Sequence, residues 1–149
     1  MQFIIPEPMK LEHEELHAEL VKATKEPGKL GEAAKAVAKV LHNHFVKEEE
    51  YAIPPLGLLR QLAQGNVSSE MRDVLAMTDK LKAELPIMLE EHRQIVSALE
   101  ALIGVAKKKR KPKYVRFAEK LMLHAQTEEE VSYPTSILVG EFVKLKLQK

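Results

Sequence analysis

The sequence predicts an all-α protein, an up-down-up-down four-helix bundle with a short connector helix and a short C-terminal helix. Three observations predict this class. The 149 residues are rich in Ala, Leu, Glu and Lys, which favour helices. Apolar residues recur at steps of three and four through most of the chain. No alternating strand pattern competes with these periods, and the length is typical of one domain, so we expect a single domain over residues 1–149.

The first two predicted helices form a hairpin that covers about residues 8–54. The first helix is expected to begin near Pro8, since proline suits the first turn, and to end at about Glu26. The second is expected from about Gly31 to Tyr51. Its buried stripe, at steps of three and four, consists of Ala34, Val37, Leu41, His44 and Glu48. The stripe therefore ends in two polar residues where the period predicts apolar ones.

The middle of the chain predicts a connector and one long helical pattern. The connector, about Leu56–Gln64, is expected to be a short helix followed by a turn. The long pattern runs from about Glu70 to Lys108. Pro86 lies inside it, and an interior proline predicts a kink or a break.

The last third of the chain predicts two more helices after a basic turn at Lys107–Lys113. The fourth helix is expected from about Pro112 to Ser132, and Pro134 is expected to end it. Residues from about Thr135 to Leu147 predict a short amphipathic helix that packs over one end of the bundle. The second hairpin therefore covers about residues 86–134.

One histidine–carboxylate unit occurs twice in the chain. The motif H-x-x-x-E begins at His44, in HFVKEEEYAIP, and again at His124, in HAQTEEEVSYP, 80 residues later. His13 precedes His44 by 31 residues, and His92 precedes His124 by 32. Because short loops make consecutive helices antiparallel, we expect both half-sites to meet inside the bundle, toward one end.

The chemistry of the repeated unit favours a site for two metal ions. A buried glutamate without a partner is unfavourable, so Glu48 and Glu128 are expected to be paired or metal-bound. Imidazole and carboxylate together suit iron, manganese or zinc, and two facing carboxylates can bridge two cations. His17 is included because it lies one turn after His13, although its counterpart in the repeat is Val96. The predicted metal ligands are His13, His17, His44, Glu48, His92, His124 and Glu128.

Simpler interpretations apply to isolated residues of these types. A lone histidine on an apolar face is usually a core histidine, and a lone His-x-x-x-Glu spacing is usually surface charge; the duplication favours metal binding. His42 lies off the stripe and is expected to be solvated. Glu49, Glu50, Glu129 and Glu130 are expected to be exposed charge at the helix ends, unless one of them supports a ligand.

Composition excludes several classes of function. The absence of cysteine excludes disulfides, thiolate-bound zinc and iron–sulfur clusters. A net charge of +1 provides no field for binding nucleic acid. The apolar runs are too short to cross a membrane, and the N-terminus does not read as a secretory signal. We therefore expect a cytoplasmic protein without nucleic-acid or membrane partners.

The order His, His-x-x-x-Glu, His, His-x-x-x-Glu resembles the hemerythrin-like HHE cation-binding domain, over residues 13–134. The resemblance implies a four-helix bundle that holds two non-heme iron ions joined by an oxo or hydroxo bridge. It implies one iron for each hairpin, with both glutamates bridging: His13 and His44 on one ion, His92 and His124 on the other, and Glu48 and Glu128 between them.

The chain departs from the oxygen-carrying hemerythrins in two ways. Those proteins carry a His-x-x-x-His pair on the third helix, where this chain has only His92; its candidate pair is His13 and His17 on the first helix. They also use an aspartate five residues after the last histidine. This chain has Glu129 at that position, and its carboxylate at i+4 is Glu128.

The resemblance implies a protein that binds or senses oxygen or a related small molecule at the iron pair, a function compatible with a redox partner. One alternative is an enzyme that reduces oxygen, peroxide or nitric oxide, for which Tyr51 and Tyr133 are the candidate proton donors. Iron storage or delivery is another, and a bundle stabilised by zinc is the least favoured. The sequence does not choose the native ligand, the redox partner or the oligomeric state.

Overall fold

The computed structural model describes residues 1–148 and shows an all-α four-helix bundle, as the sequence predicts. The bundle helices are α1 (Glu7–Thr24), α2 (Gly28–Lys47), α4 (Val74–Lys108) and α5 (Pro112–Thr127). The connector consists of 3-10 turns at Pro54–Leu58 and Ser69–Asp73 around the short helix α3 (Leu59–Ala63). A last helix, α6 (Tyr133–Leu147), follows α5. No strand occurs within residues 1–148.

Glycine allows the tight turn between α1 and α2. Gly28 has a φ of 69°, in the left-handed region that glycine adopts without strain. At Gly31 a Cβ atom would overlap the carbonyl oxygen of Glu26. This close approach makes the two helices antiparallel neighbours and brings the start of α1 beside the end of α2.

The four helices surround an apolar core that lies to one side of the polar residues of the repeat. Helix α2 packs against α1 and α4, and α5 packs against α4 and α1. The stripes predicted from the helical period supply this core, which includes Leu16, Leu20, Val37, Leu41, Ile95, Leu99, Phe117 and Leu121. Burial of these side chains holds the helix ends that carry the histidines in place.

Helix α4 continues through Pro86, so of the two expected outcomes, a kink or a break, the break does not occur. Pro86 is exposed, and the turns on either side bury Leu81 and Met88 in one apolar cluster. Packing on both sides of the proline outweighs the hydrogen bond that it removes. His92 therefore lies on the same continuous helix, α4, that packs against α6.

The helical segment does not end at Pro134, where the sequence predicts its end. Helix α5 leads through a π-helical turn, Glu128–Ser132, directly into α6. A matching π-helical turn, Glu48–Ala52, follows α2. In both units a proline stands six residues after the glutamate that opens the turn. A proline conflicts with the carbonyl four residues earlier in a regular α-helix, and the wider turn relieves that conflict.

Helix α6 packs along the first half of α4 and against the connector. The sequence predicts a helix here that packs over one end of the bundle. A Cβ atom at Gly140 would overlap Thr78 of α4, so this glycine sets the close approach of the two helices. Tyr133, at the start of α6, is thereby buried against the repeat residues. In the part of the chain described here, no helix has the length and apolar character needed to cross a membrane.

Candidate metal centre

Six of the seven predicted ligands converge inside the bundle. Each of the four bundle helices contributes one histidine, and each glutamate is the first residue of a π-helical turn. Both carboxylates are almost completely buried, at 0% and 2% exposure. The converging residues are His13 on α1, His44 on α2, His92 on α4, His124 on α5, and Glu48 and Glu128 on the turns.

The six residues form two groups that share both glutamates. In each group, one ligand atom from each member lies within 4.8 Å of the others. The first group is His13, Glu48, His124 and Glu128; the second is His44, Glu48, His92 and Glu128. Two carboxylates common to both groups are positioned as bridging ligands would be, each with one oxygen available to either group.

The grouping of the histidines differs from the one that the resemblance implies. His13 pairs with His124, their ring centroids 5.1 Å apart, and His44 pairs with His92 at 4.6 Å. Each pair therefore joins two hairpins, whereas the resemblance implies a grouping within each hairpin. Because α2 has both α1 and α4 as neighbours, the rotation of the helix decides which histidine faces His44.

Unpaired polar atoms inside the centre fit bound cations. Nε2 of His13 and of His124, Oε1 of Glu48 and both carboxylate oxygens of Glu128 are buried without a hydrogen-bond partner among residues 1–148. His124 Nε2 lies 3.1 Å from Glu128 Oε2. Buried polar groups are nearly always satisfied in folded proteins, so this cluster of electron-pair donors fits metal ions.

The pKa values of the two carboxyl groups shift in opposite directions. Burial raises the pKa of Glu48, and the neighbouring charge of Glu128 adds to this, so the pKa reaches about 7. Burial acts on Glu128 in the same direction, but contacts with Glu48 and His124 outweigh it and hold its pKa well below the usual value. Without a cation, Glu48 therefore keeps its proton to a higher pH than Glu128 does.

Two of the histidines are held in their charged form by the same carboxylates. Burial lowers the pKa of His44, but Glu48 outweighs it and raises the pKa to about 9. Burial also opposes the charge on His124, and Glu128 raises its pKa to about 9. A metal cation on these nitrogens would replace the protons, because histidine ligates metals in its neutral form.

Outer carboxylates orient three of the four rings through Nδ1. Glu91 of α4 accepts from His44 of α2 at 2.9 Å, and Lys47 donates to its other oxygen at 2.8 Å. Glu12 of α1 bonds Nδ1 of His124 on α5. A carboxylate on Nδ1 fixes the tautomer that leaves Nε2 free for a metal.

The third outer pair joins His92 Nδ1 and Glu129 Oε1 at 3.1 Å. In the structure Glu129 therefore supports a ligand histidine, which was the alternative to exposed charge for these helix-end glutamates. Glu12 and Glu91 were not predicted from the sequence. Their signal was position: each immediately precedes a ligand histidine, as Glu129 immediately follows Glu128.

Tyr133 makes the second group different from the first. Its hydroxyl donates to Glu48 Oε2 at 2.6 Å and lies 3.2 Å from Nε2 of both His44 and His92. Burial, with Glu48 adding to it, raises the pKa of this phenol. The repeat counterpart of Tyr133 is Ile53, which carries no polar atom. The two metal groups therefore differ chemically at this position.

His17 is exposed and belongs to neither group. It lines a groove of about 580 Å³ between α1 and α2, together with His13, His42 and Glu49. His42 is exposed, as predicted. The ring of Phe45 forms part of this groove and stacks on His13 at 4.3 Å between centroids. The groove thus reaches the first metal group through His13.

The bundle and its paired histidine–glutamate groups define a protein of the helical metal-binding class. The chain matches the hemerythrin HHE cation-binding domain over residues 5–136 and belongs to that family. Domains of this family bind cations, and the two groups are the positions in this chain that could hold them. No curated protein and no solved structure gives a significant match to the chain.

Proposed function

We propose that the chain binds two iron ions and uses them to bind or sense oxygen or a related small molecule. The observation that carries this proposal is the sharing of Glu48 and Glu128 by both histidine groups, because shared carboxylates hold two ions close enough to act together. The proposed protein ligands are His13, His44, Glu48, His92, His124 and Glu128. His17 is left out because it is exposed.

Mixed nitrogen and oxygen ligands support iron over copper(I) or calcium. Each group offers two imidazole nitrogens and two carboxylates, and non-heme iron with such ligands keeps positions open for a small molecule. When bound, the iron pair supplies two electrons by changing between the ferrous and ferric states. The chain supplies two buried carboxylates and holds three of the four rings, those of His44, His92 and His124, in the metal-binding tautomer.

The groove between α1 and α2 supports a small molecule as the ligand. It connects solvent to His13, and Phe45, which also lines the groove, stacks on that ring. The other histidines are backed by outer carboxylates on the sides away from the centre. Access from the groove would therefore reach the His13 and His124 group first.

Metal analysis combined with visible spectroscopy tests the proposal. The protein is loaded with ferrous iron under anaerobic conditions, exposed to air, and returned to anaerobic conditions. We expect two iron ions per chain and an absorption that appears with oxygen and disappears on its removal. Zinc as the bound metal, or no iron after loading, would contradict the proposal.

A second candidate function is reduction of hydrogen peroxide, which Tyr133 favours. Reduction to water consumes two protons and two electrons, and the Tyr133 hydroxyl is a buried donor at the centre. Stopped-flow mixing of the ferrous protein with peroxide distinguishes the two. Turnover with an added reductant supports an enzyme, whereas a single, reversible spectral change supports binding.

A further inference from the structure

The outer carboxylates follow the same repeat as the ligands. Glu12, next to His13, bonds His124, and Glu91, next to His92, bonds His44. In each case a glutamate adjacent to one ligand supports a histidine on another helix. The two pairs occupy corresponding positions in the two halves of the chain.

The third pair has a counterpart that the repeat specifies. Glu129, next to Glu128, bonds His92. The residue 80 positions before Glu129 is Glu49, next to Glu48. Since His13 corresponds to His92, the repeat designates Glu49 as the carboxylate for His13.

The fourth pair, His13 and Glu49, is not hydrogen-bonded in the structure. Among residues 1–148, no side chain or backbone group hydrogen-bonds Nδ1 of His13, in contrast to the other three rings. Glu49 is exposed, yet it lines the same groove as His13. Phe45 stacks on the imidazole and keeps its orientation without a polar partner.

We propose that Glu49 is a positioning residue for His13, accepting the Nδ1 proton when a cation occupies Nε2. The proposal rests on the proposed metal centre. A cation on Nε2 makes the Nδ1–H a stronger donor, which favours the bond to a carboxylate over solvation. Formation of the bond draws Glu49 inward across the groove, so it also narrows the opening beside His13.

His13 differs from the other three histidines because its Nδ1 gains a hydrogen-bond partner only when a metal binds. Three rings are fixed by their carboxylates before any metal binds, whereas His13 gains its partner with the metal. The metal of the His13 and His124 group is therefore the one whose binding depends on Glu49. Loss of Glu49 affects this metal alone.

Zinc release tests the role of Glu49 without requiring iron chemistry. The zinc-loaded protein is mixed with excess chelator, and release is followed for wild type, Glu49→Ala and the matched control Glu50→Ala. Losing an outer partner typically weakens metal affinity by about 10-fold or more. We therefore expect one of the two zinc ions to leave Glu49→Ala about 10-fold faster than it leaves the wild type. Glu50→Ala is expected to release both ions at the wild-type rates.

Nitrogen-15 NMR of the histidine rings provides the readout that a general loss of stability would not change. In the zinc-loaded wild type we expect a protected Nδ1–H on His13, absent in Glu49→Ala and present in Glu50→Ala. Unchanged release and an unchanged His13 signal in Glu49→Ala would overturn the role of Glu49 alone. Failure of the wild type to bind zinc would overturn the metal centre and this proposal together.

Discussion

His13 and His124 face each other edge to face, with ring centroids 5.1 Å apart, although 111 residues separate them in the chain. His13 belongs to the first hairpin and His124 to the second. Both Nε2 atoms approach Glu128, at 3.6 and 3.1 Å. A metal ion held by these rings would therefore link the two hairpins, and its loss would loosen the bundle between α1 and α5.

The pairing across hairpins predicts which double variants lose one metal. We expect His13→Ala/His124→Ala to keep close to one ion per chain, because His44 and His92 still complete the other group. His13→Ala/His44→Ala removes one nitrogen from each group and is expected to weaken both ions. Metal content after gel filtration measures the difference. The opposite pattern would support one metal for each hairpin.

Removal of a shared carboxylate is expected to affect both ions. In Glu128→Ala, each group loses an oxygen ligand, and the ions lose negative charge that offsets their own. We expect most of the metal to be lost, together with most of the thermal stabilisation that metal gives the wild type. Glu130→Ala, an exposed neighbour on the same turn, is the control. Full metal content in Glu128→Ala would reject the bridging assignment.

Tyr133→Phe is expected to change the second group without emptying it. Above pH 7, where Glu48 is ionised, the variant loses a hydrogen bond to a charged group, worth about 1.5–3 kcal/mol. The phenylalanine ring still fills the buried space. We expect a lower melting temperature for the metal-free protein and an altered visible spectrum after iron loading. Ile53→Val, at the repeat counterpart, is the control. An identical spectrum would exclude the phenol oxygen from the surroundings of the iron.

The metal-free protein is expected to lose stability as the pH rises. The pKa values of His44 and His124 rise from 6.5 to about 9, so their stabilisation is complete below pH 6.5 and is lost as the pH rises through 9. Glu48, raised from 4.5 to about 7, contributes in the same direction between those values. Melting temperatures between pH 6 and pH 9.5 should fall for the metal-free protein.

Bound metal should remove most of that dependence. Metal replaces the protons on His44 and His124, so the loaded protein carries no histidine protons to lose in this range. Loading at pH 7.5 is expected to release about two protons per chain from these histidines, with a further fraction from Glu48. A pH indicator measures the release. A melting temperature of the metal-free protein that rises with pH would contradict the assigned directions.

His17→Ala is expected to leave the metal content unchanged. Its side chain is exposed and outside both groups, although it lies in the groove that leads to His13. Equal iron content and equal spectra for His17→Ala and wild type would support this position. Loss of one ion from the variant would return His17 to the set of ligands.

The positions of the helices were predictable because their causes are local. The helical period and Pro112 place the hairpin turns within a few residues of where they lie. Pro86 and Pro134 misled the prediction, since a proline has a local cost that says nothing about the packing around it. In both places tertiary contacts stabilise a continuous helical backbone, and at Pro134 this includes a π-helical turn.

Four of the six converging ligands belong to the repeated His-x-x-x-Glu motif, whose duplication is not expected of ordinary surface charge. The two upstream histidines are the other two ligands. The spacing of His44 and Glu48 places both on one face of a helix, whatever the rest of the fold does. The partners Glu12 and Glu91 could not be found in that way. Their role depends on helices that are distant in sequence, and a glutamate beside a histidine is common on exposed surfaces.

By itself the sequence determined the all-α class and the repeated unit, because periodicity and spacing act within single helices. It also named the six converging side chains, but it included His17, which the structure places outside both groups. Only the tertiary structure decided that His13 pairs with His124, that Tyr133 lies at one group, and that Glu49 and His13 share a groove. Those relationships depend on how each helix is rotated toward its neighbours. That rotation is set by the packing of the whole core and is not encoded in any one segment.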